Sequence, residues 1–422
     1  MFLENLKLLI SAKFNNDHLI EMVKNHTNLG QINIDNVTLK PPSQKVGDSY
    51  LSKIVRFRID ATGVNQSGKE EKVEVNVITK VLPSNIGRRK TFRSFDFFEN
   101  EIIFYDKVWS SMRKFSRSKA VDQQFDKIIP LFLAYYSDGQ NDFISLEDLS
   151  CKNYDSLERG NGLDYEHTIN VIDVFAKFHA LSLAYKDQKP EEFNEVVNSL
   201  KEVYFSDKFY AWYGKLQESL FDLVRDAVKK ELPQKYYEKI DKIFKDDFFK
   251  KTCSICENNH SHLSGVTQGD AWLPNFLFRN DGQDLHITII DFQLARWAPF
   301  SNDLTFFLFT CVDENVLFKC WDSFLNEYAD KMKHYLSLLG SSSEIFNLEE
   351  FRMDIKKNII FTVAMVIEAL PMSLLEGFDL DLINSDEAVP LESVWVIHPF
   401  EDKKRRQKVA NFVKFIVDKE FI

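Results

Sequence analysis

The 422-residue sequence predicts an α+β fold of two lobes, a small antiparallel-sheet lobe followed by a larger, mainly helical one. Three observations carry that expectation. Hydrophobic residues alternate with period two in two early runs and recur at helical spacing through most of the remainder. The length exceeds what one ordinary core accommodates, so two packed units are expected. The composition, 44% hydrophobic and 28% charged, is that of a soluble globular chain.

Taken in order, the first forty residues read as helical and then irregular, ending at Pro41-Pro42. From Lys53 to Asp60, Val55, Phe57 and Ile59 alternate with Arg56, Arg58 and Asp60, the pattern of a half-buried strand. Gly63 to Gly68 supplies turn residues, and a second alternating run covers Lys72 to Val81, so the two runs form an antiparallel hairpin. Phe95, Phe98, Ile102 and Tyr105, with Val108 or Trp109, fall at helical spacing. A strand over Asp142 to Leu146 follows the Asp138-Gly139 turn. Residues 1–146 therefore make the first lobe, 147–150 a hinge and 151–422 the second lobe. In the second lobe, Tyr165 to Ala184 and two amphipathic stretches between Asp207 and Lys250 are helical. One short strand pair is expected around Phe276 to Phe278 and His286 to Asp291.

Charge excludes several function classes. With 64 acidic against 53 basic residues the net charge is −11, which opposes a long nucleic-acid footprint and offers nothing to an anionic membrane. A nucleotide needs only a local cationic patch. Met1 to Ala12 carries Glu4 and Lys7 and does not read as a secretory signal. The apolar run Ile359 to Leu375 is broken by Glu368 and Pro371 and is too short to span a bilayer, so a cytoplasmic protein is expected. The five cysteines are too scattered for a disulfide framework. Cys253 and Cys256 form a CxxC followed by His260 and His262, but a structural zinc needs a second well-spaced ligand pair, so unliganded thiols are expected. The 38 phenylalanines imply a core rich in ring contacts and make an enclosed apolar pocket easy to build.

The densest chemical signal is Gln268-Gly269-Asp270-Ala271-Trp272-Leu273-Pro274-Asn275, followed by Ile289-Ile290-Asp291-Phe292-Gln293. An Asp, an Asn five residues on, and an Asp after a short apolar strand meet the needs of phosphoryl transfer. Asp270 would accept or orient the proton of a substrate hydroxyl. Asn275 and Asp291 would give hard oxygens to Mg²⁺ bridging the phosphates of ATP. Each residue alone would pass for a turn or strand-end group, but their joint order and spacing do not. Lys80 ends the second early strand, and a lysine held by a helix glutamate is the standard way to aim an ammonium at the α- and β-phosphates. Glu101 and Glu99 both stand at a suitable distance, and spacing alone does not choose between them. The turn Gly47 to Ser52 could cover the phosphates with backbone N–H groups and the Ser52 hydroxyl. Glu147-Asp148-Leu149 sits where the lobes join, so the backbone of Glu147 and Leu149 is expected to meet the adenine.

These residues resemble the ecdysteroid-kinase-like family, relatives of choline kinases and aminoglycoside phosphotransferases. The likeness runs from Gly47 to about Phe421. Its landmarks include Lys80-Val81-Leu82-Pro83, Phe98 to Tyr105, Leu146 to Leu149, Ala176 to Ser182, Gly269-Asp270-x-Trp272-x-x-Asn275, Ile290 to Gln293 and Asn302-Asp303-Leu304. The resemblance implies a protein-kinase-like fold, with Asp270 as catalytic base, Asn275 and Asp291 as metal ligands and Lys80 on the phosphates. It selects Glu101 over Glu99, because the family's glutamate directly precedes an Ile-x-x-Tyr pattern, and it makes Asp303 a scaffold aspartate. His179 reads as a packed core histidine. The chain departs from the family at Gln268, where a histidine strut is usual, and at Pro274, where asparagine is usual. Glutamine can both donate and accept hydrogen bonds, so the strut can be rebuilt.

The expected function is ATP-dependent phosphorylation of a hydroxyl on a small apolar molecule, with a steroid suggested by the family's name alone. An amino alcohol or a hydroxylated foreign compound is the second expectation, and a choline-type acceptor would need an acidic, aromatic cage. A kinase-fold binding protein without transfer rests on Gln268 alone. A protein kinase is disfavoured, since no Ala-Pro-Glu segment follows Asp291.

Overall fold

Alternating side chains early in the chain build the expected sheet. In the computed structural model, which describes residues 2–41, 52–157, 162–258, 261–282, 284–374, 383 and 386–422, five strands lie in the order β1-β2-β3-β5-β4, with each neighbouring pair antiparallel. They are β1 (Gly30–Leu39), β2 (Lys53–Val64), β3 (Glu70–Val81), β4 (Phe132–Tyr136) and β5 (Phe143–Glu147). The β2–β3 ladder runs unbroken from Lys53↔Val81 to Val64↔Glu70, longer than the period-two runs alone suggest. Val55, Phe57, Ile59 and Ala61 of β2 are buried in strict alternation.

β1 corrects the expectation of an irregular segment before Pro41. Its register shifts between Ile34 and Asn36, so the apolar pair Ile32 and Ile34 falls out of phase with Val37 and Leu39. A bulge of this kind erases the period-two signal over a strand. Its edge position leaves most of its side chains exposed.

The two faces of the sheet meet different partners. One is covered by helices Phe2–Leu9 and Asn16–Thr27, with Phe14 between them, so that Phe14, Leu19 and Met22 share a core with Phe57, Val75 and Phe143. The other carries Ile144 and Leu146 into the main core of the molecule. There they join residues of one long helical segment, Ser94–Ile103, a π-helical turn at Phe104–Trp109 and Ser110–Ser118. The helical spacing over 95–109 anticipated this element.

Beyond β5 the chain is mainly helical. Tyr165–Gln188, Phe300–Cys311, Glu314–Leu338 and Leu348–Leu374 are its principal helices, and the stretch 207–250 contains Lys215–Glu231 and Gln234–Lys245. Two small antiparallel pairs interrupt them, β6 (Ser264–Thr267) with β9 (Arg296–Pro299) and β7 (Phe276–Asn280) with β8 (Leu285–Ile289). Among the described residues no helix is long and apolar enough to cross a membrane. Cys253 and Cys256 are free thiols on helix Phe248–Asn258, and burial pushes the Cys253 thiol up to about 12. His262 faces Glu350 at 2.7 Å, while His260 lies outside the described residues.

Candidate active site

The loop between β6 and β7 carries Asp270, and its shape follows from a buried scaffold beneath it. Asp303, on helix Phe300–Cys311, accepts from the backbone N–H of Gln268 at 2.6 Å and of Gly269 at 2.9 Å. His179, buried as expected, also has a polar role: its ring nitrogens lie 3.2 Å from Asp303 and 2.8 Å from the Tyr328 hydroxyl. Burial lowers its pKa, which favours the neutral imidazole. Gly269 has φ +83°, and a Cβ there would stand 2.0 Å from the carbonyl oxygen of Leu294, so only glycine fits.

Gln268 takes the strut position. Its side-chain nitrogen donates to the carbonyls of Asp291 at 2.6 Å and Ile290 at 3.1 Å, and its side-chain oxygen accepts from the Asp270 N–H at 2.8 Å. One amide therefore ties the Asp270 loop to the Asp291 loop. Pro274 lies in a single 3₁₀ turn, Leu273–Asn275, that ends on Asn275. The Asn275 side-chain nitrogen donates to both the carbonyl and the Oδ2 of Asp270, each at 2.9 Å. That leaves the Asn275 side-chain oxygen for a cation, and Asp291 contributes a carboxylate. Two hard oxygens of this kind fit Mg²⁺.

Lys80, near the end of β3, lies with its Nζ 2.8 and 3.1 Å from the two carboxylate oxygens of Glu101 and 3.3 Å from Asp291 Oδ1. Glu99 turns to Lys201 at 2.6 Å. Burial alone would depress the Lys80 ammonium, but Asp291 and Glu101 outweigh it and raise its pKa. Asp291 stands two residues past β8 with φ +63°, a conformation that β-carbon-bearing residues adopt at a cost. What holds it there is local: the Phe292 ring stacks on Phe104 at 3.8 Å, and Asn100 donates to the carbonyls of Gln293 and Ala295, both at 2.9 Å. Asn100 and Phe104 flank Glu101 on the same helical segment. Burial first, and Asp291 second, push the Asp270 carboxyl up to about 7, against the Asn275 hydrogen bond.

Ser52, Lys80, Glu147, Leu149, Asp270, Asn275 and Asp291 line one cavity of about 870 Å³, the size of a small-molecule site. Glu101 stands behind Lys80, fully buried. The turn residues Gly47 to Leu51 lie outside the described residues. Sequence reasoning missed a further part of the cavity wall. Glu368, Tyr204, Trp212 and Trp395 also border it, and Tyr204 and Tyr213 donate to Glu368 at 2.6 and 2.5 Å. No spacing signal could have joined residues so far apart in the chain; the break that Glu368 makes in an apolar helical run was the sole hint.

A sheet lobe presenting Lys80 opposite one loop with Asp270 and Asn275 and a second with Asp291 is the arrangement of a kinase-like phosphotransferase. The chain belongs to the ecdysteroid kinase-like family, whose model matches residues 46–341. The match ends short of Phe421, to which the resemblance was expected to extend. No curated protein sequence matches the chain. Similar solved structures include a Plasmodium vivax ethanolamine kinase, with 13% identity, TM-score 0.41 and coverage of 99% of this chain and 95% of that one. A GDP complex of a mutant aminoglycoside 2′-phosphotransferase has 12% identity, TM-score 0.36 and coverage of 96% and 99%. A microcompartment-associated aminopropanol kinase has 9% identity, TM-score 0.38 and coverage of 95% and 98%.

Proposed function

We propose that the chain transfers the γ-phosphoryl group of ATP to a hydroxyl of a small molecule with a largely apolar body, a class that includes steroids of the ecdysteroid type and hydroxylated foreign compounds. The observation that carries this reading is one cavity bordered by Lys80, Asn275, Asp291 and Asp270 and by a wall of aromatic residues. In it, residues 147–150 form the hinge, with the backbone of Glu147 and Leu149 against the adenine and Ser52 near the phosphates. Lys80, held by Glu101, faces the phosphate oxygens. Asn275 and Asp291 hold Mg²⁺, which when bound offsets charge on the β- and γ-phosphates.

Asp270 orients the acceptor hydroxyl and takes its proton as that oxygen bonds to the γ-phosphorus. The bond from phosphorus to the β–γ bridging oxygen breaks, and ADP leaves with its new charge facing Lys80. The pKa of Asp270, about 7, suits a group that must gain a proton in the reaction and lose it afterwards to solvent. The test is Mg²⁺-dependent ATP turnover against a panel of hydroxylated acceptors with Asp270→Asn as control. Transfer should fall by about 10²–10⁴-fold in the mutant with ATP affinity kept. Unchanged transfer, or an inability of the native chain to bind ATP, would overturn the reading.

A further inference from the structure

The acceptor end of the cavity holds a carboxylate that the transfer chemistry above does not use. Glu368, on helix Leu348–Leu374, lies beyond the span matched by the family model. Tyr204 donates to one of its oxygens at 2.6 Å and Tyr213 to the other at 2.5 Å. Each oxygen lies against a separate hydroxyl, and burial raises the pKa of the carboxyl against those two hydrogen bonds, so a positive charge brought alongside would favour its ionised form. Both tyrosines are buried, so the carboxylate is held in one orientation.

No lysine or arginine among the described residues pairs with Glu368, and the groups acting on it are its own burial and the two tyrosines. Arg93, 4.7 Å from the Trp212 centroid, is paired with Asp96, and Arg296, 5.2 Å from the Phe361 centroid, is paired with Glu202. Asp270 adds a second negative charge to the neighbourhood, since it and Glu368 both raise Tyr204. An unpaired carboxylate facing an apolar cavity is unfavourable until a cation enters. The surrounding walls favour a cation as well, because Tyr204 and Trp212 lie edge to face with centroids 5.4 Å apart and both border the cavity, with Phe97 and Trp395.

A second, independent observation concerns another residue on the wall of the same cavity. The side-chain oxygen of Gln293 is buried without a hydrogen-bond partner, although Gln293 borders the cavity and only 6% of its surface is exposed. A buried polar atom left unmatched is costly and calls for a donor that arrives with a ligand. A protonated amine offers both the positive charge that Glu368 lacks and an N–H for an oxygen such as that of Gln293.

We propose that Glu368 anchors a cationic nitrogen of the acceptor, so that the substrate is an amine-bearing alcohol with an apolar body: its hydroxyl at Asp270 and its ammonium between Glu368 and the Tyr204–Trp212 rings. This rests on the phosphotransferase reading of the same cavity and narrows it, because a neutral sterol would leave Glu368 without a counter-charge.

The probes are N-benzyl-N-methylethanolamine and its neutral analogue with carbon in place of nitrogen, given to the full chain with Mg²⁺ and ATP. Calorimetry of the native chain should show the ammonium binding about tenfold or more tighter than its neutral twin, with the same preference in kcat/KM. In Glu368→Gln, which keeps the shape and one tyrosine donation while the other hydroxyl must turn to accept from the amide NH2, the preference should vanish while ATP affinity is unchanged. Equal affinity for the two probes, no binding of the ammonium, or an equal loss for both in Glu368→Gln would overturn the proposal. A Glu368-dependent preference in calorimetry without any phosphorylated product would uphold the cation site and sink the phosphotransferase reading instead.

Discussion

Asp270 is where the electrostatics of individual side chains becomes measurable. Burial and the neighbouring Asp291 hold its carboxyl up at about 7, and Glu368 adds a smaller push in the same direction. In its proposed role as base Asp270 must be ionised to accept a proton, so its active fraction grows as pH rises through its pKa and falls tenfold per unit below it. Turnover is therefore expected to show an acid limb at or below pH 7, since a cation on Asp291 and Asn275 would relieve part of the repulsion. With a neutral acceptor, Glu368→Gln removes one negative neighbour and should move that limb to lower pH. A pH–rate profile of the two proteins checks this; a shift to higher pH would contradict the sign. Gln268 shows how a departure from the family pattern is absorbed at the same scale. Its one side chain makes three hydrogen bonds, binding both loops.

The helical segment from Ser94 to Ser118 does more than supply Glu101. Asn100 makes three hydrogen bonds that bridge distant parts of the chain, to the carbonyls of Gln293 and Ala295 and from the N–H of Lys201. Removing its amide in Asn100→Ala strands those buried partners, at about 1–3 kcal/mol for each unsatisfied group. The melting temperature should fall by several degrees. The larger effect should be on transfer, because the Asp291 loop loses its tether and Asp291 must keep its left-handed backbone. A mutant with normal kcat would show that Phe292 stacking alone positions the loop. This element was legible in sequence as a helix because its apolar residues recur at helical spacing. The π-helical turn at Phe104–Trp109 was not, since one extra residue in a turn hardly disturbs that spacing. Strands β2 and β3 were legible because their alternation is unbroken, and β1 was hidden by its bulge. The same distinction applies to the site. Asp270, Asn275 and Asp291 stand close together in the chain, so their order could be read; Tyr204, Trp212 and Glu368 lie far from that motif and join it only through packing.

At the scale of the whole molecule, the sheet belongs to two cores at once. Its outer face closes over Phe14, Leu19 and Met22, and its inner face joins the core that continues through Phe98, Phe104 and Phe292 into the helical lobe. The outer core is much the smaller, so damage there should loosen the sheet before the rest. Phe14 is fully buried and meets Phe143 and Phe57 at 5.3 and 6.3 Å between ring centroids. Phe14→Ala should cost about 3–5 kcal/mol of that local stability. Lys80 rides on β3, so on the proposed function a loosened sheet also weakens the hold on phosphate. Hydrogen exchange followed by mass spectrometry should show faster exchange in β2 and β3 of the mutant, with Tyr165–Gln188 unaltered and ATP bound more weakly. Saturating Mg²⁺ and ATP should restore much of the protection, because a ligand at 100 times its Kd stabilises the binding-competent state by about 2.7 kcal/mol. Exchange rising equally in the sheet and in Tyr165–Gln188 would mean that the inner core binds the lobes into one cooperative unit, and that the N-terminal helices stabilise all of it rather than the sheet that carries Lys80 alone.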